Sequence, residues 1–426
     1  MSVFTRSRAG KIIGGIAVVS VSALFLAGCA GGGGEAAPTS GSSAAPGGEL
    51  ALKIGTALPQ TGNLAFLGPP EEAGVAYAAS QINAATADTG LSLDVTYGDS
   101  GDTDNKAYET EIPRLLNDGV KAIIGAASSG TSLQFIDQVV GAGVIQFSPA
   151  NTSDAFTTYD DKGLYFRTAP SDVLQGEVLG NLIAEDGNQT LGLLVLNDSY
   201  GTGLAKYVSE AFEKAGGEVV AQESYNTGDT TFDAQISSVL AANPDAIALI
   251  TFDEVSTILP SLFGKIPSDK LYFVDGNLKN FGDAFPAGSL TGAKGTLPGL
   301  SIDSIKSFTD ELDTFQSDNG RPALEDYSYA AESFDATVLL ALASLAAGST
   351  DSSAIADKLI EVSGGSGDGE KCTTYADCAE IILGGGTADY DGISGPITFD
   401  DVGDPTEASI GIYQYGEDNN YVAYEG

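Results

Sequence analysis

The 426-residue sequence contains no histidine. Without an imidazole it cannot build a Ser-His-Asp or Cys-His catalytic unit or the HExxH zinc helix. Its three cysteines are too few for a four-cysteine zinc site or an iron–sulfur cubane. Basic residues number 19 against 58 acidic ones, giving a formal net charge of −39. That balance argues against a nucleic-acid partner, because phosphate binding needs clustered positive charge. Much common enzyme chemistry is therefore excluded, and we predict no metal site and no cofactor.

The N-terminal 28 residues have the pattern of an export signal. Basic residues at Arg6, Arg8 and Lys11 precede a 15-residue apolar run over 12–26, which is short for a membrane span and typical of a signal-peptide core. The segment Leu26-Ala27-Gly28-Cys29 resembles a bacterial lipobox. We predict a lipoprotein signal peptide over 1–28, acyl chains on Cys29 that anchor the chain to the membrane, and a flexible Gly/Ala/Ser/Pro tether over 29–49. A plain secretory signal is the alternative.

From residue 50 onward, short apolar runs alternate with stretches of helical periodicity. Apolar residues make up 42% of the chain and charged residues 18%, which is typical of a globular protein. The alternation predicts an α/β fold with parallel sheets flanked by helices, and two lobes explain the number of strands better than one very wide sheet. We predict a long helix over 325–347, followed by a β-rich tail.

In open α/β sheets, ligands bind beyond the carboxyl ends of the strands. The loops after the predicted strands, and the tail, contain these segments: Leu58-Pro59-Gln60-Thr61-Gly62, Ile123-Ile124-Gly125-Ala126-Ala127-Ser128-Ser129-Gly130, Phe147-Ser148-Pro149-Ala150-Asn151-Thr152, Asp198-Ser199-Tyr200-Gly201, Tyr272-Phe273-Val274-Asp275-Gly276 and Asp391-Gly392-Ile393-Ser394-Gly395-Pro396. In order and spacing they resemble the leucine/isoleucine/valine-binding type of ABC-importer substrate-binding protein, over about residues 50 to 400.

The resemblance implies the two-lobed type I periplasmic-binding-protein fold with three hinge crossovers. Lobe 1 would comprise 50–169 plus about 296–390, and lobe 2 would comprise 170–295 plus about 391–426. The implied function is extracytoplasmic capture of an amino acid, branched-chain or related, by hinge closure. Such capture requires no covalent chemistry, so the resemblance implies no enzymatic activity. The implied partners are the permease subunits of an importer at the outer face of the membrane.

The resemblance also assigns the two ends of an amino-acid ligand. Ser129, Ala150 and Thr152 would hold its α-carboxylate, and hydroxyl groups with loop N–H groups at helix N-termini suit an anion. Asp275 would hold the α-ammonium, at a position where the best-known members carry Glu. Since Asp is shorter than Glu, its reach differs from theirs.

Three further residues are assigned to the ligand side chain and its cover. Tyr200 would cover the ligand from lobe 2, and Phe252 is expected to line the same pocket. Leu67 stands where some members place a large aromatic residue, so the side-chain pocket is expected to differ from theirs.

Each of these segments has an ordinary structural interpretation as well. Ser128-Ser129-Gly130 fits a helix N-cap, Tyr200 fits a turn aromatic, and Asp275-Gly276 is a common turn pair. We expect Asp253 and Glu254 to cap the helix that begins at Val255. The functional alternatives are the same fold tuned to an amide, urea or an aromatic acid, a ligand-sensing receptor domain, and an exported enzyme.

Cys372 and Cys378 are separated by five residues in a chain predicted to be exported. A local disulfide is the simplest interpretation of that spacing, and a pair of free thiols is the alternative.

Overall fold

Strands and helices alternate along the chain, as the sequence predicts. The computed structural model describes residues 49–424. The predicted signal peptide, the predicted lipid-bearing Cys29 and the tether up to residue 48 lie outside the described residues. Within the described part, the chain passes between two lobes that are each built on a separate sheet.

The first lobe is built on a five-stranded, wholly parallel sheet in the order β2-β1-β3-β4-β5. Its strands are β1 (Leu50–Ala57), β2 (Leu91–Thr96), β3 (Ala122–Gly125), β4 (Ile145–Ser148) and β5 (Tyr165–Arg167). The helices between them are α1 (Gly68–Ala84), α2 (Thr86–Thr89), α3 (Tyr108–Asn117) and α4 (Ser129–Gly141). Every residue of β3 is buried, because helices cover both faces of such a sheet.

The chain then crosses to the second lobe and repeats the same rhythm. The strands here are β6 (Thr190–Leu196), β7 (Glu218–Tyr225), β8 (Ala246–Ile250), β9 (Leu271–Phe273) and β10 (Lys294–Pro298). The helices are α5 (Asp172–Glu185), α6 (Ser199–Lys214), α7 (Asp233–Ala241) and α8 (Val255–Leu262). Like β3, the central strand β8 is buried at every residue.

A second crossing returns the chain to the first lobe. This part contains the helices α9 (Lys306–Asp318), α10 (Ala330–Ala347), α11 (Ser352–Val362) and α12 (Tyr375–Leu383), and a small sheet of β11 (Glu370–Cys372), β12 (Ala388–Gly392) and β13 (Gly395–Pro396). Residues of α10, α11 and α12 share one apolar core with β1, β3 and β4.

A third crossing leads to β14 (Ile410–Tyr415) and β15 (Tyr421–Ala423). They complete a seven-stranded sheet in the order β15-β14-β10-β9-β8-β6-β7, in which β14 runs antiparallel to β10 and to β15. The strand and helix pattern predicts this two-lobed α/β architecture, and the family resemblance implies its three crossings.

The second and third crossings lie later in the chain than the predicted boundaries near 296 and 391. β10 ends at Pro298 and still belongs to the second sheet. Phe399 is still packed in the first core, and the second sheet resumes only at Ile410.

The predicted helix over 325–347 is wrong at its beginning, since α10 begins at Ala330. Tyr329 has φ 60° and ψ 10°, the left-handed conformation, which cannot continue a right-handed helix. A turn precedes it, in which the Ser328 N–H donates to Asp326 Oδ1 at 2.7 Å. α10 is long and apolar enough to cross a membrane, but 89% of it is buried inside the protein, as befits a core helix.

Cys372 and Cys378 form a disulfide, as their spacing predicts. The bond joins β11 to α12, and both cysteines are buried in the first core.

Candidate functional site

The sequence-predicted ligand residues lie at the carboxyl ends of strands in both lobes. Ser129 is the first residue of α4, after β3, and Ala150 and Thr152 follow β4. Tyr200 lies in the first turn of α6, after β6, and Asp275 follows β9. Because both sheets are mainly parallel, these loops share one edge of each sheet, and the two edges meet between the lobes.

Six of the seven predicted ligand residues line one small cavity between the lobes: Leu67, Ser129, Ala150, Tyr200, Phe252 and Asp275. Leu64, Ala127, Ser128, Gly276 and Tyr329 complete its lining. Thr152 is not part of the lining, although it lies beside Ser129. The cavity volume is about 10 Å³, room for about one water molecule. An amino acid could therefore enter only if the lobes separate.

Ser129 joins the two first-lobe loops that face the cavity. Its Oγ accepts hydrogen bonds from the Thr152 N–H at 3.3 Å and the Ser153 N–H at 3.2 Å. The hydroxyl proton of Ser129 is thus left to donate to a further group. The N-cap of α4 is the neighbouring Ser128, whose Oγ accepts from the Thr131 N–H at 3.2 Å. The N-cap interpretation therefore applies to Ser128 and not to Ser129.

Asp275 is the carboxylate on the opposite side of the cavity, and three side chains donate to it. Its Oδ1 accepts from Gln175 Nε2 at 2.9 Å and from the Tyr200 hydroxyl at 2.7 Å. Its Oδ2 accepts from the Tyr329 hydroxyl at 2.7 Å. Burial raises the pKa of Asp275, and these hydrogen bonds oppose the rise because they favour the ionised form. The result is an oriented carboxylate in a site from which most water is excluded.

Aromatic and aliphatic side chains form the rest of the wall. The rings of Tyr200 and Phe252 stack with their centroids 5.2 Å apart and their planes 17° apart. Leu64 and Leu67 face the cavity from the first lobe, and both are at most 4% exposed. A ligand held between Ser129 and Asp275 would therefore meet apolar surface elsewhere, which suits a hydrocarbon side chain.

Tyr329 is a site residue that the sequence reasoning missed. It lies directly before α10, where the predicted helix over 325–347 had placed it on a helical face. The Asp326-Tyr327-Ser328 sequence was the available signal, because Asp and Ser favour turns over helix interiors. Gln175, the other missed donor to Asp275, sits inside α5 and carries no comparable sequence signal.

The expectation that Asp253 and Glu254 cap α8 is wrong. Glu254 occupies the N-cap position, but it makes no side-chain cap hydrogen bond. Its Oε1 instead accepts from Asn63 Nδ2 of the first lobe at 3.0 Å, and the Asp253 N–H donates to the Asn63 carbonyl oxygen at 3.1 Å. The two residues therefore tie α8 to the loop that carries Leu64 and Leu67.

Comparisons with known proteins agree with this architecture. Residues 51–262 match the family model of a periplasmic binding protein. The leucine-, isoleucine-, valine-, threonine- and alanine-binding protein of Pseudomonas aeruginosa is 35% identical over 193 residues, which are 45% of this chain and 51% of that protein. The chain thus spans about half the length of the curated relatives it matches.

Solved structures share the fold over most of the chain. LivJ of Streptococcus pneumoniae in complex with isoleucine has a TM-score of 0.67 and 22% identity, over 88% of this chain and 100% of that one. A solute-binding protein of Rhodopseudomonas palustris in complex with benzoate has a TM-score of 0.66 and 17% identity, over 88% of this chain and 95% of that one. At these identities the likeness concerns the fold alone.

The fold is therefore the two-lobed type I periplasmic-binding fold. Residues 51–262 match the periplasmic binding protein family model, and the remaining described elements complete the same fold.

Proposed function

We propose that the chain is the extracytoplasmic solute-binding component of an ABC importer and captures a branched-chain or related apolar amino acid between its lobes. One observation carries the proposal: Asp275 is a buried carboxylate with three hydrogen-bond donors, and it lines the same cavity as Ser129. An α-ammonium would receive its counter-charge from Asp275, and an α-carboxylate would receive the Ser129 hydroxyl and first-turn N–H groups of α4. Leu64, Leu67 and Phe252 suit an aliphatic side chain.

The relatives support the choice of ligand class. The Pseudomonas relative is named for leucine, isoleucine, valine, threonine and alanine, and the Streptococcus structure contains isoleucine. Thr152 supports the carboxylate end in this proposal, because its N–H donates to Ser129 Oγ.

A thermal-shift panel tests the ligand class. Leucine, isoleucine and valine should raise the unfolding midpoint, because a ligand that binds only the folded state stabilises it. Acetamide and urea should not, since neither has an ammonium for Asp275 or a carboxylate for Ser129. A shift with an amide and none with any amino acid would contradict the proposal. An aromatic acid that raises the midpoint would count as a ligand of the cavity between Ser129 and Asp275 only if it competes with isoleucine.

Membrane anchoring and permease docking form the second part of the proposal. Acyl chains on Cys29 would hold the folded lobes at the outer face of the membrane, within reach of the permease subunits. A Cys29→Ser variant should move from the membrane fraction to the soluble fraction and keep the unfolding midpoint of the parent. A variant that still fractionates with membranes would rule out this anchor.

A further inference from the structure

A second, larger cavity lies between the lobes on the other side of the 64–67 segment. Leu64 and Leu67 line the small cavity, whereas Ala65 and Phe66 line the larger one. The volume of the larger cavity is about 620 Å³, within the range of sites that bind small organic molecules. We call it the side cavity.

Both lobes contribute to the side cavity. The first lobe supplies Phe66, the beginning of α1 and the loop over 321–326, and the second lobe supplies Ser256 and the segment Lys279-Asn280-Phe281. A molecule that fills it would contact both lobes only while they are closed. Binding there would stabilise closure independently of the ligand held by Asp275.

The body of the side cavity is apolar. Phe66 and Phe281 stand on opposite lobes, and the Lys279 ammonium lies 5.5 Å from the centroid of each ring. Pro70 and Leu324 extend the apolar wall on the first lobe. Lys279 is also paired with Asp253, so its charge is already matched.

Arg321 is the cation at this cavity without a carboxylate partner. Among residues 49–424 there are three arginines, and the other two form salt bridges, Arg114 with Glu111 and Arg167 with Asp404. The Arg321 guanidinium has no carboxylate within salt-bridge distance in that part of the chain, and it lies 5.8 Å from the centroid of the Phe315 ring.

None of the described acidic residues around the side cavity forms a salt bridge with Arg321. Asp326 accepts from the Ser328 N–H at 2.7 Å and the Tyr421 hydroxyl at 3.0 Å. Glu72 accepts from Gln60 Nε2 at 2.7 Å. Burial raises the pKa of Glu72, and the Gln60 hydrogen bond and the charge of Arg321 act against that rise.

Glu325 is exposed. With the other carboxylates engaged or turned to water, Arg321 remains the group that an incoming anion would meet.

We propose that the side cavity is a second binding site, which takes an organic monocarboxylate with an apolar or aromatic body. Arg321 would bind the carboxylate, for which a guanidinium offers a bidentate fork, while Phe66, Phe281 and Leu324 would contact the body. Because the site requires closed lobes, it is coupled to the cleft: a cleft ligand raises the affinity of the side cavity, and the reverse holds.

Calorimetric titration of the purified chain with 3-phenylpropanoate tests the proposal. This probe has no ammonium for Asp275. The parent should bind it, and saturating isoleucine should strengthen that binding. Arg321→Gln should weaken it at least about 10-fold, the effect of losing a hydrogen bond to a charged group. Arg321→Lys should bind with intermediate affinity, because it keeps the charge and loses the fork.

Two controls separate this site from the cleft and from general effects of charge. Lys358→Gln removes an equal charge from α11, where Lys358 pairs with Glu361, and should bind the probe like the parent. Asp275→Asn should still bind the probe, while Arg321→Gln should still bind isoleucine, which shows that it is folded.

The proposal is overturned if 3-phenylpropanoate does not bind, if isoleucine displaces it, or if Asp275→Asn abolishes its binding and Arg321→Gln does not. Failure of the amino-acid proposal would be recognised differently, by the absence of any amino-acid binding to the parent.

Discussion

Two opposing effects decide whether the Asp275 carboxyl group is ionised. Burial favours its neutral form, and its three hydrogen-bond donors favour the carboxylate. Two of its three donors are tyrosine hydroxyls, and both are more than 95% buried. A neutral carboxyl group could not provide the counter-charge that an ammonium needs in a site from which water is excluded. The tyrosines are thus expected to keep Asp275 charged as well as to orient it.

Removing one of these donors should move the pH dependence of binding. Tyr329→Phe should raise the pKa of Asp275 further, because a hydrogen bond to the charged form is lost. Isoleucine affinity should then fall at a higher pH than in the parent as the solution is acidified, with a loss of about 10-fold or more near neutral pH. Calorimetric titrations across pH measure both effects.

Tyr327→Phe is the matched control, because the hydroxyl of Tyr327 donates to the surface residue Asp313. An identical pH profile of isoleucine binding in both tyrosine variants would show that Tyr329 does not act on ligand binding through Asp275.

At the scale of elements, a buried acid of α10 packs against two of the crossings between the lobes. Glu332 lies in the first turn of α10, where its backbone oxygen accepts from Thr168 Oγ1 of the first crossing at 3.1 Å. Its carboxyl group also lies against Gly299 of the second crossing, where an added Cβ would come within 2.3 Å of Glu332 Oε1. Burial raises the pKa of Glu332 to about 8, and the charge of Asp335 adds to the rise.

The stability contributed by Glu332 should depend on pH. A carboxyl group with a raised pKa in the folded state binds more protons there than in the unfolded chain. The contribution of Glu332 to the free energy of unfolding should therefore be largest below about pH 4.5. It should fall as the pH rises from there through about 8. Nearby Glu71, whose pKa is also raised by burial and by the charges of Glu72 and Glu332, should add a fall of the same sign.

Glu332→Gln removes this dependence without removing the shape of the side chain. Relative to the parent, it should gain on the order of 1 kcal/mol or more in unfolding free energy between pH 5 and pH 8.5. Denaturant titrations at the two pH values measure the gain. Glu177→Gln, at an exposed position of α5, is the control and should show no such gain. Equal gains in the two variants would contradict the assignment.

The elements show what sequence can and cannot predict. Buried strands such as β3 and β8 were predictable, because a short apolar run between helices has few other interpretations. α9 was not predicted: of its 13 residues, four are buried, and the others are mainly polar. β10 was not predicted either. Lys294 and Pro298 at its ends interrupt the apolar pattern of a buried strand, and β10 is buried only because it pairs with β9 and β14 in the folded molecule.

The candidate site divides in the same way. Residues in recognisable loop segments, such as Ser129 and Asp275, were found from the sequence, and the structure brings them to one cavity. Tyr329 was missed because the helix predicted over 325–347 placed it inside a helix, whereas it lies directly before α10. The side cavity could not be predicted, because it exists only where the lobes meet.

At the scale of the whole molecule, the lobes are closed on one another. The apolar core of the second lobe continues across the cleft to Leu64, Leu67, Ala127, Ala150 and Tyr329 of the first lobe. Polar contacts also cross it, including Ser153 Oγ to the Ser199 carbonyl oxygen at 3.2 Å. Ligand entry and release must break these contacts, so closure contributes directly to affinity.

A small obstruction between the lobes should therefore weaken binding without unfolding either lobe. At Gly130 of α4, an added Cβ would lie 2.8 Å from Asp198 Oδ2 of the second lobe. Gly130→Ala should make the free energy of lobe closure less favourable by about 1–3 kcal/mol. Isoleucine affinity should then fall about 5- to 150-fold. It should also reduce the compaction that small-angle X-ray scattering detects when isoleucine is added.

Gly141→Ala, on the same helix, is the matched control, because no atom lies within 4 Å of its added Cβ. If both glycine variants bind isoleucine like the parent, contact between α4 and Asp198 does not limit closure.

The central claim is that an amino acid is held between Ser129 in one lobe and Asp275 in the other. Calorimetric titration of isoleucine into the parent, Ser129→Ala, Asp275→Asn and the exposed control Asp283→Asn tests it most directly. We predict that the parent and Asp283→Asn bind alike, and that Ser129→Ala and Asp275→Asn each lose about 10- to 150-fold in affinity. Isoleucine binding of parental affinity in both Ser129→Ala and Asp275→Asn would contradict the claim.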